Sequence, residues 1–186
     1  MPAPRTLLLL SLLLMLVPGA WAKQTNKPDL KLVATLDEAA PEDQPILVVH
    51  IINQSGHTLH IPEPPLLCKP APGALSLQVK FVSEGTSRQQ EPVDCGLEVD
   101  PSGLPDIRER AKQWLVLKAG QDYQVRRPLA MGVDANAAGT YEMRVIYDGP
   151  SANNDDMQKL KAAGIAAPEG RFQSEKLTYK MSQPRE

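Results

Sequence analysis

The chain has 186 residues and a formal net charge of −2, which leaves no basic excess for nucleic acid or anionic lipid and no acidic tail. Its length fits one domain, or two very small ones, and 42% hydrophobic with 23% charged residues is an ordinary globular balance. Proline is abundant, at 18 residues, while aromatics make up only 4%, which argues against a carbohydrate-binding face lined by exposed rings.

Residues 1–22 read as a secretory signal peptide. Arg5 and the amino terminus supply positive charge, and Leu7 to Val17 form the apolar run LLLLSLLLMLV. Pro18-Gly19 then break the helix, and Ala20 and Ala22 place small side chains where a signal peptidase reads, so cleavage is expected before Lys23. An apolar run this short reaches roughly 17 Å as a helix, against a hydrocarbon core of about 30 Å, so a membrane anchor is not expected. Residues 23–186 would then form the exported domain, periplasmic or secreted. Cys68 and Cys95 are the two cysteines. In an oxidising compartment such a pair is expected to form one disulfide, closing a loop of about 28 residues and contributing roughly 3–4 kcal/mol. The rival readings are two buried thiols or a metal pair; neither cysteine sits in a CxxC, which speaks against a zinc or redox motif of that type.

The mature chain alternates at strand period. Leu30, Leu32 and Leu36 share a face, and Ile46 to Ile52 (ILVVHII) is a near-continuous β-branched run suited to a central strand. Asn53 to Gly56 signals a turn, after which His57 to Ile61 is expected to return beside Ile46–Ile52. Pro62, Pro64 and Pro65 end that strand, because proline brings no N–H to a ladder. Leu75, Leu77, Val79 and Phe81 repeat at period two, Glu84 to Ser87 reads as a turn, and Arg88 to Val93 reads as a polar edge strand. A helical turn is expected over Asp106 to Lys112, then strands at Trp114 to Lys118 and Tyr123 to Leu129. Tyr141, Met143, Val145 and Tyr147 share a face of the next strand, whose end beside Asp148-Gly149 is expected to give Tyr147 access to water. Asn154 could cap a short helix carrying Met157 and Leu160, and Phe172 to Met181 forms the last strand.

Three segments resemble immunoglobulin-type sandwiches. Asp134-Ala-Asn-Ala-Ala-Gly139-Thr-Tyr141-Glu-Met143 is similar to the Asp-x-Gly-x-Tyr-x-Cys signature of that family, with Met143 where antibody domains carry their second cysteine. Trp114-x-x-Leu117-x-x-Gly120, and Gly170 through Ser174 to Leu177 and Tyr179, resemble the strands around this corner in exported bacterial Ig-like domains. The resemblance implies a single all-β, antiparallel Ig-like sandwich of about eight strands with at most one or two short helical turns. It also implies a structural corner at Gly139 and Tyr141, the tyrosine hydroxyl bonding upstream backbone. It transfers no active site.

Chemistry-bearing residues are sparse. His50, His57 and His60 fall within one short stretch, but the expected hairpin would pair Ile52 with His57 and His50 with Leu59, putting His60 on the opposite face. That is a poor metal set. Met131, Met143, Met157 and Met181 do not cluster with the histidines, and Met143 and Met181 read as core. No Gly-x-Ser-x-Gly or HExxH is present. Asp155-Asp156 reads as a solvated loop, and Arg126 and Arg127 as strand neighbours that diverge to opposite faces. The expectation is a non-catalytic exported binding or structural module with a protein partner, no cofactor, no metal, no nucleic acid and no membrane insertion after cleavage. The alternative is an inhibitor of an exported protease presenting a proline-stiffened loop at residues 62–73, with a hydrolase a more distant third.

Overall fold

A computed structural model describes residues 28–37, 39–41, 45–67, 71–83, 86–89, 104–129, 138–151 and 153–181. In chain order these hold β1 (Leu30–Leu36), β2 (Ile46–Asn53), β3 (Leu59–Ile61), β4 (Leu66–Leu67), β5 (Leu75–Ser83), β6 (Thr86–Gln89) and α1 (Ile107–Ala111). They continue with β7 (Leu115–Leu117), β8 (Asp122–Pro128), β9 (Gly139–Asp148), α2 (Asn154–Ala162), β10 (Arg171–Gln173) and β11 (Leu177–Met181). One sheet runs β1-β2-β8. The larger sheet is centred on β9, with β10 and β11 along one edge, β5 along the other, and β4 and β6 beyond β5. β3 and β7 form a separate ribbon. Among the described strands every pairing is antiparallel except the short β4–β5 contact, beside which Pro72 and Asp148 form an isolated parallel bridge.

Period-two patterning decides which side chains meet between the sheets. Leu30, Leu32, Leu47, Val49, Ile51 and Val125 from the first sheet join Leu75, Val79, Tyr141, Met143, Val145, Tyr147 and Phe172 from the second in one buried cluster. The protein is therefore an all-β sandwich. Each such side chain, fully buried, contributes about 1.5–3 kcal/mol relative to exposure. At the start of β9 the backbone passes directly beneath an aromatic ring: a Cβ on Gly139 would stand 2.4 Å from Phe81 Cε2, and φ there is +154°. Only glycine fits that approach, which lets Phe81 tilt against Tyr141 at a centroid distance of 5.0 Å.

The hairpin expected after β2 does not form. β2 is occupied on both edges, by β1 and by β8, and β3 pairs with β7 instead. Asn53 supplies the reason. Fully buried, it donates from Nδ2 to the carbonyls of His57 (2.8 Å) and Leu117 (2.9 Å), and its Oδ1 accepts from Ser55 N and Ser55 Oγ. Its backbone N–H and carbonyl bond Gln121 and Gly120. The turn read at Asn53–Gly56 thus exists, but its first residue ties the returning chain to the β7–β8 connection.

Pro62–Pro65 then carry the chain from the β3–β7 ribbon to the larger sheet, a crossover in which missing N–H groups cost nothing. Gly73, at φ +74°, packs against Pro62, where a Cβ would lie 2.5 Å from Cγ. Leu75 N donates to Pro65 O at 2.9 Å.

The single closing strand expected over Phe172–Met181 is two strands. Gln173 is opposite Ile146 and Leu177 opposite Met143, so four steps on one strand match three on β9. The extra residue breaks the ladder as a bulge does. Ser174 repairs it: its backbone N–H donates to Val145 O (2.9 Å), and its Oγ accepts from Val145 N (3.0 Å) while donating to Glu175 O (2.8 Å).

A satellite core lies beside the sandwich. Ile107 and Ala111 of α1 meet Met157 and Leu160 of α2, with Trp114, Ile165 and Ala167 around them. Trp114, expected within a strand, instead precedes β7 and packs on the helices. Asp106 caps α1 and Asn153, one residue before the expected Asn154, caps α2. Arg110–Asp156 (3.8 Å) and Lys159–Asp106 (4.0 Å) tie the two helices together at their surface. Asp155 and Asp156 thus belong to the first turn of a helix, where their charge suits the dipole, rather than to a loop.

Candidate interaction surface

The strand register places four cross-strand rows on the outward face of the β1-β2-β8 sheet. Lys31, Ile52 and Asp122 form the first row, Val33, His50 and Gln124 the second, and Thr35, Val48 and Arg126 the third. Ile46 and Pro128 close the fourth, where Asp37 N donates to Ile46 O. Ile46, Val48 and Ile52 therefore make an apolar strip down the central strand, extended by Val33. Lys31, Thr35, Asp122, Gln124 and Arg126 on the flanking strands are exposed, and Ile46, His50, Ile52 and Val33 are half-buried.

Two polar straps cross this strip. Arg126 reaches over the central strand to Asp37, and beneath that ion pair Val48 is only 6% exposed although it points outward. Asp37 also accepts a hydrogen bond from the Ala39 backbone N–H at 3.0 Å. That bond and the Arg126 guanidinium hold its carboxyl below the usual carboxylate range. In the upper rows His50 Nδ1 lies 2.6 Å from Asp122 Oδ2. Lys31 has no ion-pair partner among the described residues. On the inward side Tyr123 donates to Glu63 Oε1 at 3.3 Å, which anchors the proline crossover to β8. Burial first, then the nearby Glu63 carboxylate, raises the Tyr123 phenol.

The other expected sites fall as follows. Cys68 and Cys95, and with them the disulfide, lie outside the described residues, as do Met131, Asp134 and residues 1–22. The three histidines are not brought together: His50 bonds Asp122 on the outward face, His57 is exposed on the turn, and His60 pairs opposite Val116 in the ribbon. Among the described residues no group of three or more His, Cys, Asp or Glu is disposed to hold a metal, and no helix is long and apolar enough to cross a membrane. Arg126 and Arg127 do diverge; Arg126 pairs with Asp37, and Arg127 Nη1 donates to the Arg126 carbonyl at 3.0 Å. Met143 and Met181 are buried in the main core.

Gly139 and Tyr141 stand at the start of β9, with Tyr141 fully buried. Tyr147 departs from expectation. It is also 0% exposed, its ring 6.3 Å from Phe172, and its hydroxyl has no hydrogen-bond partner among the described residues. Burial alone pushes its phenol far above the ordinary tyrosine value. The end of the strand is not open to water, because β10 pairs there and sets Phe172 opposite Tyr147.

The outward sheet face was not singled out from the sequence. Its signal was present in ILVVHII, where Ile46, Val48 and Ile52 on the outward side match the apolar core-facing Leu47, Val49 and Ile51, with His50 the exception. The fold defines an all-β sandwich with one such face left open among the described residues. No protein-family model matches the chain, and no curated protein matches it.

Proposed function

We propose that the chain is an exported, non-catalytic binding module on an immunoglobulin-like sandwich, and that it engages a protein partner through the outward face of the β1-β2-β8 sheet. The observation carrying this reading is the strip of Val33, Ile46, Val48 and Ile52 on a solvent-facing sheet rimmed by Lys31, Asp122 and Arg126. An apolar centre within a polar rim is the usual anatomy of a protein-binding patch. The Ig-like assignment draws support from the order β1-β2-β8 packed on β11-β9-β5-β6, and from Gly139 and Tyr141 at the start of β9. Export, cleavage before Lys23 and a Cys68–Cys95 disulfide belong to the same reading.

The test is a pull-down from native envelope extract with mature protein, wild type beside Val33→Lys and Ile52→Lys. Capture of a defined partner by wild type and its loss in both folded variants supports the face. Equal capture by all three refutes it. Mass spectrometry of the exported protein is expected to show Lys23 at the amino terminus and, without reduction, one Cys68–Cys95 linked peptide. A retained Met1 or two alkylatable thiols would remove those parts of the proposal. Protease inhibition is the second reading, favoured by the Gly73–Pro62 contact and the Leu75–Pro65 hydrogen bond that fix the base of the 62–73 loop. A protease-inhibition panel on the same sample decides it.

A further inference from the structure

The chain holds one Asn-x-Ser/Thr triplet, Asn53-Gln54-Ser55, the acceptor pattern for N-linked glycan transfer. In an exported protein that pattern ordinarily marks a surface loop, because the attached glycan is bulky and hydrated. Here the acceptor residue is sealed. Asn53 is 0% exposed, while Gln54 and Ser55 are half-buried on the turn that follows it. The atom that would carry the sugar is Nδ2, and a side-chain amide nitrogen has two N–H donors. Both are committed, one to His57 O at 2.8 Å and one to Leu117 O at 2.9 Å. The hydroxyl of the triplet is drawn inward as well: Ser55 Oγ lies 2.6 Å from Asn53 Oδ1 and 2.9 Å from His57 O, so its one proton is shared between those acceptors. The backbone of Asn53 closes the remaining side, its N–H donating to Gln121 O and its carbonyl accepting from Gly120 N.

We infer that Asn53 is a modification site of the unfolded chain only: glycan transfer to its Nδ2 and formation of the native fold exclude each other, whatever binds the outward face of the β1-β2-β8 sheet. The co-reactant is a lipid-linked oligosaccharide pyrophosphate. Transfer joins Nδ2 to the anomeric carbon of the sugar, breaks that carbon's bond to the pyrophosphate, and releases one amide proton with the lipid pyrophosphate as leaving group. The product amide keeps a single N–H. It can serve His57 O or Leu117 O but not both, and the carbonyl left over is a buried acceptor without a donor. The sugar ring would also occupy the space that this carbonyl fills in the native chain. Asn53 and Leu117 lie 64 positions apart, so their bond exists only once β7 has packed beside the end of β2, whereas the triplet is complete as a linear acceptor before any folding. A chain modified first can no longer tie β3 and β7 to β2, and a chain folded first no longer presents the amide.

The test compares folded and unfolded forms of the full mature chain as acceptors. Leu75→Asp/Val145→Asp keeps the triplet and puts two carboxylates at fully buried core positions, which prevents folding and is checked by circular dichroism. Wild type and this variant are each incubated with an oligosaccharyltransferase and a lipid-linked oligosaccharide, and modification is read by mass spectrometry of the Asn53 peptide. The unfolded variant is expected to be glycosylated, and folded wild type about tenfold or more slowly, since only locally opened molecules present the amide. Ser55→Ala in the unfolded background removes the acceptor pattern and is expected to abolish the modification. Translation of wild type into microsomes that carry the transferase gives the second reading: glycosylated chains are expected to be protease-sensitive and unglycosylated chains protease-resistant. Equal rates for the two forms, no modification of the unfolded variant, or a glycosylated wild-type chain as protease-resistant as its unglycosylated counterpart overturns the inference.

Discussion

Replacing Tyr147 by phenylalanine is expected to stabilise the protein. The hydroxyl is buried to 0% exposure without a hydrogen-bond partner among the described residues, and burial is the sole cause of the upward shift of its phenol. Burying a hydroxyl that leaves its hydrogen bonds in water unreplaced costs about 1–3 kcal/mol in proteins. Its removal vacates about 10 Å³, and at about 24 cal/mol per Å³ the resulting void returns only ~0.2 kcal/mol of that gain. The ring, its 6.3 Å contact with Phe172 and its place opposite Leu75 are all retained. The net expectation is a gain of about 1 kcal/mol or more, or a rise in melting temperature of about 2–4 °C per kcal/mol at this chain length. Tyr141→Phe is the matched comparison: the corner role proposed for Tyr141 predicts a loss of about 0.5–1.5 kcal/mol. Urea unfolding of both variants, with unchanged m-values, gives the two free energies. A loss of 1 kcal/mol or more in Tyr147→Phe would show that the hydroxyl has a partner in solution and that the account of its burial is wrong.

Asn53→Ala removes hydrogen bonds to His57 O, Leu117 O and Ser55 N in a fully buried setting, and is expected to cost about 2–4 kcal/mol, read by urea denaturation. Hydrogen exchange should then show β3 and β7 losing protection before β5 and β9; uniform loss across all four would contradict the staple. Ser174→Ala leaves the buried Val145 N–H without an acceptor and is expected to cost about 1–3 kcal/mol, whereas Ser174→Thr, which keeps the oxygen, should cost less. The acid limb has a defined sign. The Arg108 side chain, then the Arg108 backbone N–H, bring the Asp106 carboxyl from 3.8 down to about 2. Its contribution is therefore complete above pH 3.8 and lost as pH falls toward 2. Asp37, bonded by Ala39 N–H and Arg126, and Glu142, bonded by Lys176, are depressed in the same direction. Stability measured from pH 5 to pH 2 should fall through this window, and Asp106→Asn should flatten the slope; an unchanged slope would remove Asp106 from the set.

Much of the sandwich was legible in the sequence because a two-residue period is a local signal. Leu75 through Phe81 and Tyr141 through Tyr147 each display their inward face within one strand, and β5 and β9 lie where that period puts them. The partner of β2 was not legible. Nothing near Asn53 announces that its side chain will hold Leu117, and a turn signal encodes a change of direction, not a neighbour. The break at Ser174 was hidden for a related reason: Leu177, Tyr179 and Met181 keep their phase, so the one-residue slip appears only against β9. The burial of Tyr147 was not legible either, because nothing beside Asp148-Gly149 announces that β10 extends the sheet there. The open face was half legible, since a run without alternation shows that both sides of β2 are apolar but not which of them stays uncovered.

The strand order also fixes a timetable. β2 gains one neighbour from β1 almost at once, but its second edge waits for β8, roughly 70 residues later. At about 5–20 residues per second the ribosome takes on the order of 4–14 s to supply it. During that interval an apolar, β-branched segment with an unpaired edge is exposed, the kind of sequence that seeds intermolecular pairing. A nascent chain must therefore be kept apart from its neighbours until Asp122–Pro128 arrives, and truncations ending before that strand should aggregate where the whole chain does not.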